Sequence, residues 1–295
     1  MPDWISALPR MIQFAFGAVL FGGPLFILYA HVSPEGWERR LTRIALVGMT
    51  AAALLAVVLQ TAYLTDIALG ALSANDIAWY LTDTHIGRIS ALRLAALAAY
   101  ALIVYRRPQG FFCLAAQTLL GAGILGSFAW TGHGADGTAL HTFSDVIHLL
   151  AAGVWVGALG SLVFLILGAW RNQDQAQMAA AGLDAFSRIG ITVVALLVAS
   201  GIGNSLALLG LSNIWSLYQS EYGLTLLIKI ALFGAMLGLA AANRYWLAPA
   251  LRRNLEQNTG SPDLRNLGGS LFLETVLALV VLGLAAHLGS IEPPH

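Results

Sequence analysis

Between Thr131 and Trp155 the chain reads TGHGADGTALHTFSDVIHLLAAGVW, a stretch holding three of its seven histidines and two acids. His141, Asp145 and His148 stand at i, i+4 and i+7, a spacing that lines one face of a helix if helical geometry begins by His141. Trp155 carries the stripe two turns further. Gly132 and Gly134 flank His133, and glycine's backbone freedom lets the chain turn there and bring that imidazole over the helix. A donor set of His133, His141 and His148 with Asp145 suits Cu(II), Zn(II), Ni(II) or Fe(II), whereas Cu(I) favours thiolate and thioether. In such a set Asp145 serves as a ligand or as the partner that holds one ring in place. The same residues also fit a blander pattern, wetted loop histidines with Asp145 as a capping or packing acid. Thr142 or Ser144 is the expected cap of the helix that carries them.

The elements that must position this stretch are set by composition. Hydrophobic residues make up 58% of the 295 residues and charged residues only 10%, against about 25% charge in a soluble domain. Eight apolar runs lie near 6–30, 43–66, 86–105, 111–130, 144–170, 186–209, 222–247 and 268–289. Each reaches the ~20 residues a helix needs to cross a bilayer. A backbone in lipid must satisfy its own hydrogen bonds, so the expected fold is all-α: a polytopic membrane protein, a bundle of eight transmembrane helices forming one domain over 1–295. The first run has only Asp3 and Arg10 as charges at its start and lacks a small-x-small cleavage pattern, so it reads as a retained helix. Formal net charge is zero, which offers no basic surface to nucleic acid. The single cysteine, Cys113, excludes an internal disulfide and a Cys-x-x-Cys metal site. No Gly-rich phosphate loop and no Ser/His nucleophile arrangement is present, so nothing points to an enzyme.

Arginine placement predicts orientation. Arg39, Arg40 and Arg43 follow the first run, Arg106 and Arg107 the third, Arg171 and Arg188 the fifth, and Arg244, Arg252, Arg253 and Arg265 the seventh. The alternate connections are nearly bare, with Arg10 and Arg88 at their edges. The positive-inside rule then puts the arginine-rich connections in the cytoplasm and both termini outside. His85, His133, His141, His148, His287 and His295 fall on the outer side, and His31 alone on the inner. Arg93 and Lys229 lie inside runs and must face the bundle interior, where Gln60, Asp66, Asn204, Asn243 and Glu274 are available partners. Lys229, Met236 and Asn243 share one stripe, which fits a pathway lining and a packing seam alike. The small residues from Ala151 to Gly160 allow close helix packing.

With these residues located, the chain resembles the copper resistance protein D (CopD) family of bacterial inner-membrane proteins. The likeness rests on Thr82-Asp83-Thr84 with Gly87, Arg88 and Arg93, and on Thr131-Gly132-His133 followed by His141, Asp145, His148, Ala151-Ala152, Trp155 and Gly157. Tyr222-Gly223, Leu226, Lys229 and Asn243-Arg244 support it. The resemblance implies copper uptake from periplasm toward cytoplasm, beside a small periplasmic copper-binding protein of the CopC type. Copper would bind His133, His141 and His148, assisted by Asp145 or Asp136, with Cu(II) favoured at this outer site and His85 and His287 as additional outer candidates. Copper would then move along an interior whose polar residues are Arg93, Lys229, Asn204 and Asn243, with Lys229 and Asn243 organising the bundle rather than ligating the ion. Two alternatives stand beside it. One is a b-type haem electron carrier, since His148 and His287 both lie near the outer surface. The other is a copper sensor or accessory membrane protein that binds metal without moving it. Lipid is the surrounding partner; the sequence leaves the oligomeric state open.

Overall fold

The structure, a computed structural model, describes residues 3–34, 36–106, 110–131, 138–170, 172–209, 219–257 and 262–291. Among them every regular element is helical. The long ones are α1 (Asp3–Ala30), α2 (Trp37–Thr65), α4 (His85–Arg106), α5 (Phe111–Gly126), α6 (Ala139–Ala169), α7 (Gln173–Leu209), α8 (Glu221–Ala242) and α10 (Pro262–Leu288). A short α3 (Ala74–Asp83) precedes α4, a 3-10 turn Ser127–Trp130 extends α5, and a π-turn Asn243–Leu247 joins α8 to α9 (Ala248–Gln257). Eight of these helical stretches are long and apolar enough to cross a membrane. The polytopic all-α bundle dictated by composition is therefore present.

Several boundaries differ from those read off the apolar runs. α2 begins at Trp37 rather than 43, α6 at Ala139 rather than 144, α7 at Gln173 rather than 186, and α10 at Pro262 rather than 268. The seventh run continues past 247 through the π-turn into α9. Hydropathy marks where a helix meets lipid, and polar turns such as Gln173 to Asp184 can stay helical beyond that point. α3 was invisible for the same reason. Its start is a capping box: Ser73 accepts from the Asp76 amide, and the Asp76 carboxylate accepts from the Ser73 amide at 2.8 Å.

α1 is the central helix, packed against α2, α5, α6 and α10. Two apolar clusters meet on it. Phe14, Leu20, Met49, Tyr100 and Ile124 belong to one, and Phe26, Trp155, Leu162, Leu165 and Leu271 to the other. The α1–α6 contact is backbone on backbone: a Cβ on Gly22 would overlap the Gly153 carbonyl, and one on Gly157 would overlap Gly22. This spacing of small residues is how helices approach closely where no hydrophobic driving force separates lipid from protein.

Pro24, inside α1, has no N–H and so leaves the Leu20 carbonyl without its helical donor. Such an acceptor is costly in an apolar interior. The Tyr100 hydroxyl of α4, fully buried, donates to it at 2.9 Å. Gly121 of α5 lies against the same turn, where a Cβ would come within 2.7 Å of the Leu20 oxygen. The turn that Pro24 leaves open is thus where α4 and α5 both meet α1.

Candidate metal centre

α6 starts a turn earlier than its apolar run, and its cap is Thr138, whose hydroxyl accepts from the His141 amide at 3.4 Å. Neither Thr142 nor Ser144 caps it, because both already sit inside the helix. Thr142 donates back to the Thr138 carbonyl at 3.4 Å, and Ser144 donates to the Ser200 carbonyl of α7 at 3.1 Å. His141 is therefore within regular helix, and the His141–Asp145–His148 spacing acts as a helical face.

That face is turned into the bundle. His141 is buried, and Asp145 and His148 are half-buried. Asp145 Oδ1 accepts from Asn204 Nδ2 of α7 at 3.1 Å, and His148 Nδ1 lies 3.0 Å from Ser200 Oγ one turn along. Gly201 and Gly203 leave room for this approach: a Cβ at Gly201 would touch the His148 ring at 3.6 Å, and one at Gly203 would press on Ser144 Oγ at 2.8 Å. Arg10 of α1, His141 and Lys229 of α8 all lie within electrostatic reach of Asp145, and Lys229 is also within reach of His148. Lys229 is the one lysine in the chain. Among the described residues Asn204 Oδ1 is buried without a hydrogen-bond partner.

His133 and Asp136 lie outside the described residues, as does His295. Among the described residues no group of three or more His, Cys, Asp or Glu is close enough to hold a metal ion. The helix rise explains this. Residues seven apart stand about 10 Å apart along the axis, so His141 and His148 flank Asp145 rather than converge on one point. A donor from outside α6 is needed to complete a coordination sphere there. His85 is exposed at the start of α4, and no described contact joins it to α6. His287 Nε2 pairs with Glu221 Oε1 at 3.5 Å, tying α10 to α8.

Of the interior polar residues, Arg93 and Asn243 are buried. Arg93 is 6% exposed; its Nε donates to Ser127 Oγ at 2.9 Å and its Nη1 to Gln13 Oε1 at 3.3 Å. Its Cζ lies 3.7 Å from the Phe128 ring centroid, a cation–π contact. Met236 of α8 and Asn243 at the start of the π-turn are buried in the core.

Sequence reasoning did not assemble a second network deeper in the bundle. Glu274 of α10, 1% exposed, accepts from Trp155 Nε1 of α6 and from Asn243 Nδ2, each at 2.9 Å. The Trp155 ring is held edge-on by Phe186 and Phe233. Asn243 opens the π-turn, a distortion that recurs at functional sites. The signal was present: an acid within an apolar run marks an interior site by default.

An all-helical, eight-span bundle with a polar layer at one end defines an integral membrane protein. Comparison with known proteins gives the family. The family model described as copper resistance protein D matches residues 180–288, and the one described as copper resistance protein D-like, N-terminal domain, matches residues 1–142. Copper resistance protein D of Pseudomonas syringae pv. tomato is 32% identical over 309 residues, covering 99% of this chain and 98% of the relative. The chain belongs to the copper resistance protein D family. Copper transport protein CutJ of Bacillus subtilis (strain 168) is 28% identical over 98% of the chain, which spans 53% of that longer relative. Inner membrane protein YebZ of Escherichia coli (strain K12) is 28% identical over 72% of the chain and 70% of its own length. No solved structure matches the chain. Family membership makes this a copper-resistance-associated, multi-pass inner-membrane protein rather than an enzyme.

Proposed function

We propose that the chain, as a single integral-membrane unit, binds copper at the histidine end of its bundle and passes it from periplasm to cytoplasm. The observation that carries this reading is the joint placement of Asp145 and His148 against α7, with Asn204 Oδ1 left without a donor among the described residues. A buried acceptor lacking a partner, beside a carboxylate and an imidazole, is what a bound cation or ordered water satisfies. His133 and Asp136, from the segment leading into α6, supply the donors that α6 alone cannot bring to one point. The donor chemistry favours Cu(II). Copper delivered from the periplasm, by a protein of the CopC type, enters at this end, because the arginine-rich connections are cytoplasmic. Lys229 and Asn243 organise the interior rather than ligate the ion, since an ammonium group repels a cation. The names of the relatives, a copper resistance protein and a copper transport protein, support the cargo.

The test is copper affinity by competition with a calibrated chelator, paired with uptake into proteoliposomes offered Cu(II) and Cu(I) separately. His148→Ala should lose at least the ~10-fold that changes around metal sites typically cost, while His31→Ala, at the opposite end, should not. Unchanged affinity in both His148→Ala and His133→Ala would remove the site assignment. Binding without uptake would favour a sensor or accessory role. Orientation is read by single-cysteine labelling in a Cys113-free background: a cysteine at Ala139 should react with an impermeant reagent from outside and one at Gln173 should not.

A further inference from the structure

Proton positions on α7 constrain the histidine beside it. A serine hydroxyl has one hydrogen and two lone pairs. Ser200 Oγ stands 2.5 Å from the Leu196 carbonyl and 3.4 Å from the Leu197 carbonyl, both of which only accept. Its single hydrogen is therefore committed to its own helix, the back-bonding that serines adopt inside helices. What remains toward His148 Nδ1, 3.0 Å away, is a lone pair. The hydrogen of that contact has to come from the ring.

The ring is held in this pose. Gly201 places no side chain between α7 and the imidazole, and Nδ1 and Cε1 are the atoms nearest to it. The Ser144 hydroxyl, one turn before His148, donates to the Ser200 carbonyl and locks the register of α6 against α7 at this turn.

We infer that Ser200 is a positioning residue that holds His148 as the Nδ1–H tautomer and so reserves Nε2, with its lone pair, for the metal. This rests on His148 being a ligand as proposed above. In a neutral imidazole one nitrogen donates and the other accepts, and the partner of the first decides which nitrogen a metal meets. Metal-binding histidines usually donate their other N–H to a carboxylate, carbonyl or water, and losing such a partner typically costs about 10–100-fold in affinity. Here a serine whose hydrogen is already occupied takes that role.

The experiment uses the full-length, metal-free protein in lipid nanodiscs with 15N-labelled histidine. The His148 signals are assigned by their disappearance in His148→Ala. The expected spectrum shows a protonated Nδ1 and an unprotonated Nε2. Ser200→Ala should mix or reverse the tautomers and weaken Cu(II) binding about 10–100-fold, and Ser200→Thr, which keeps the hydroxyl, should restore both. Ser205→Ala is the control, since among the described residues that hydroxyl bonds only the Gly201 carbonyl, at 2.8 Å. A wild-type spectrum with a bare Nδ1, or with both nitrogens protonated, overturns the inference. Because the tautomer is read without metal, it separates from the ligand assignment. Loss of copper binding in His148→Ala with a bare Nδ1 in the wild type defeats the role of Ser200 alone. Intact binding in His148→Ala with a protonated Nδ1 defeats the ligand assignment alone.

Discussion

Asp145 and Glu274 are both carboxyl groups engaged at α6, and they are built in opposite ways. Asp145 is half-buried near the histidine end, with one amide hydrogen bond from Asn204 and three ionisable neighbours, His141, Arg10 and Lys229. Glu274 is buried deeper, and its two oxygens each accept one hydrogen bond from a neutral donor, Trp155 and Asn243. Among the described residues it makes no ion pair. A carboxylate surrounded by charged groups at the mouth of a bundle can trade partners, and an arriving cation is one such partner. A carboxyl group that accepts from two neutral donors on two other elements works as a cross-brace. Residue type alone does not separate the two roles; the partners do.

Removing the brace should therefore be the most damaging change to the fold. Glu274→Ala leaves the Trp155 indole N–H and the Asn243 amide buried without acceptors, about 1–3 kcal/mol for each. Glu274→Gln, which keeps an acceptor, should lose less. Unfolding midpoints in one detergent measure both, and a Glu274→Ala protein as stable as the wild type would erase the distinction from Asp145. Tyr100→Phe provides a second neutral brace for scale, in the other apolar cluster. It strips the Leu20 carbonyl of its donor beside Pro24 and should cost about 1–3 kcal/mol.

Asp145→Asn sharpens the other half of the comparison. Asparagine keeps an acceptor for Asn204, so stability should move by less than about 1 kcal/mol. Copper affinity should nevertheless fall at least ~10-fold if the carboxylate charge serves the metal. Equal losses of stability in Asp145→Asn and Glu274→Ala would mean that both acids are braces. At the bottom of the scale stands Asp76, an exposed acid outside the spans. Side-chain and backbone hydrogen bonds from Ser73 hold its carboxyl below the ordinary carboxylate range. Its folded value is depressed, so its contribution to the start of α3 is complete above the unfolded value, near pH 4. That contribution is lost as pH falls through the folded value. The Ser73 amide resonance followed by NMR from pH 6 downward should shift only in that acid range, with the membrane helices unchanged. Movement near neutrality would refute the capping role.

The eight spans and the shared face of His141, Asp145 and His148 were legible because they depend on local properties. Apolar run length reports what can cross lipid, and a period of 3.6 residues reports which side chains lie together on a helix. The cap was misplaced because hydropathy begins counting where lipid begins, while Thr138 starts the helix a turn before it. The inward direction of Arg93 and Lys229 followed from the cost of charge in lipid.

Their partners did not follow. Arg93 meets Gln13 from 80 residues away, and Trp155 meets Glu274 from 119 residues away. No spacing rule reaches that far. The crossing of α1 and α6 at Gly22, Gly153 and Gly157 helps decide which turn of each helix faces which neighbour, and Tyr100 supplies the donor that Pro24 denies the Leu20 carbonyl. By itself the sequence determined that the chain is a helical membrane bundle with a polar, histidine-bearing end, because solvation acts residue by residue. Only the tertiary structure decided that Asp145 sits among charges, Glu274 among neutral donors and His148 against Ser200. In a low-dielectric interior a polar group must take whatever partner the helix crossing brings within about 3 Å, and that crossing is a property of the whole fold.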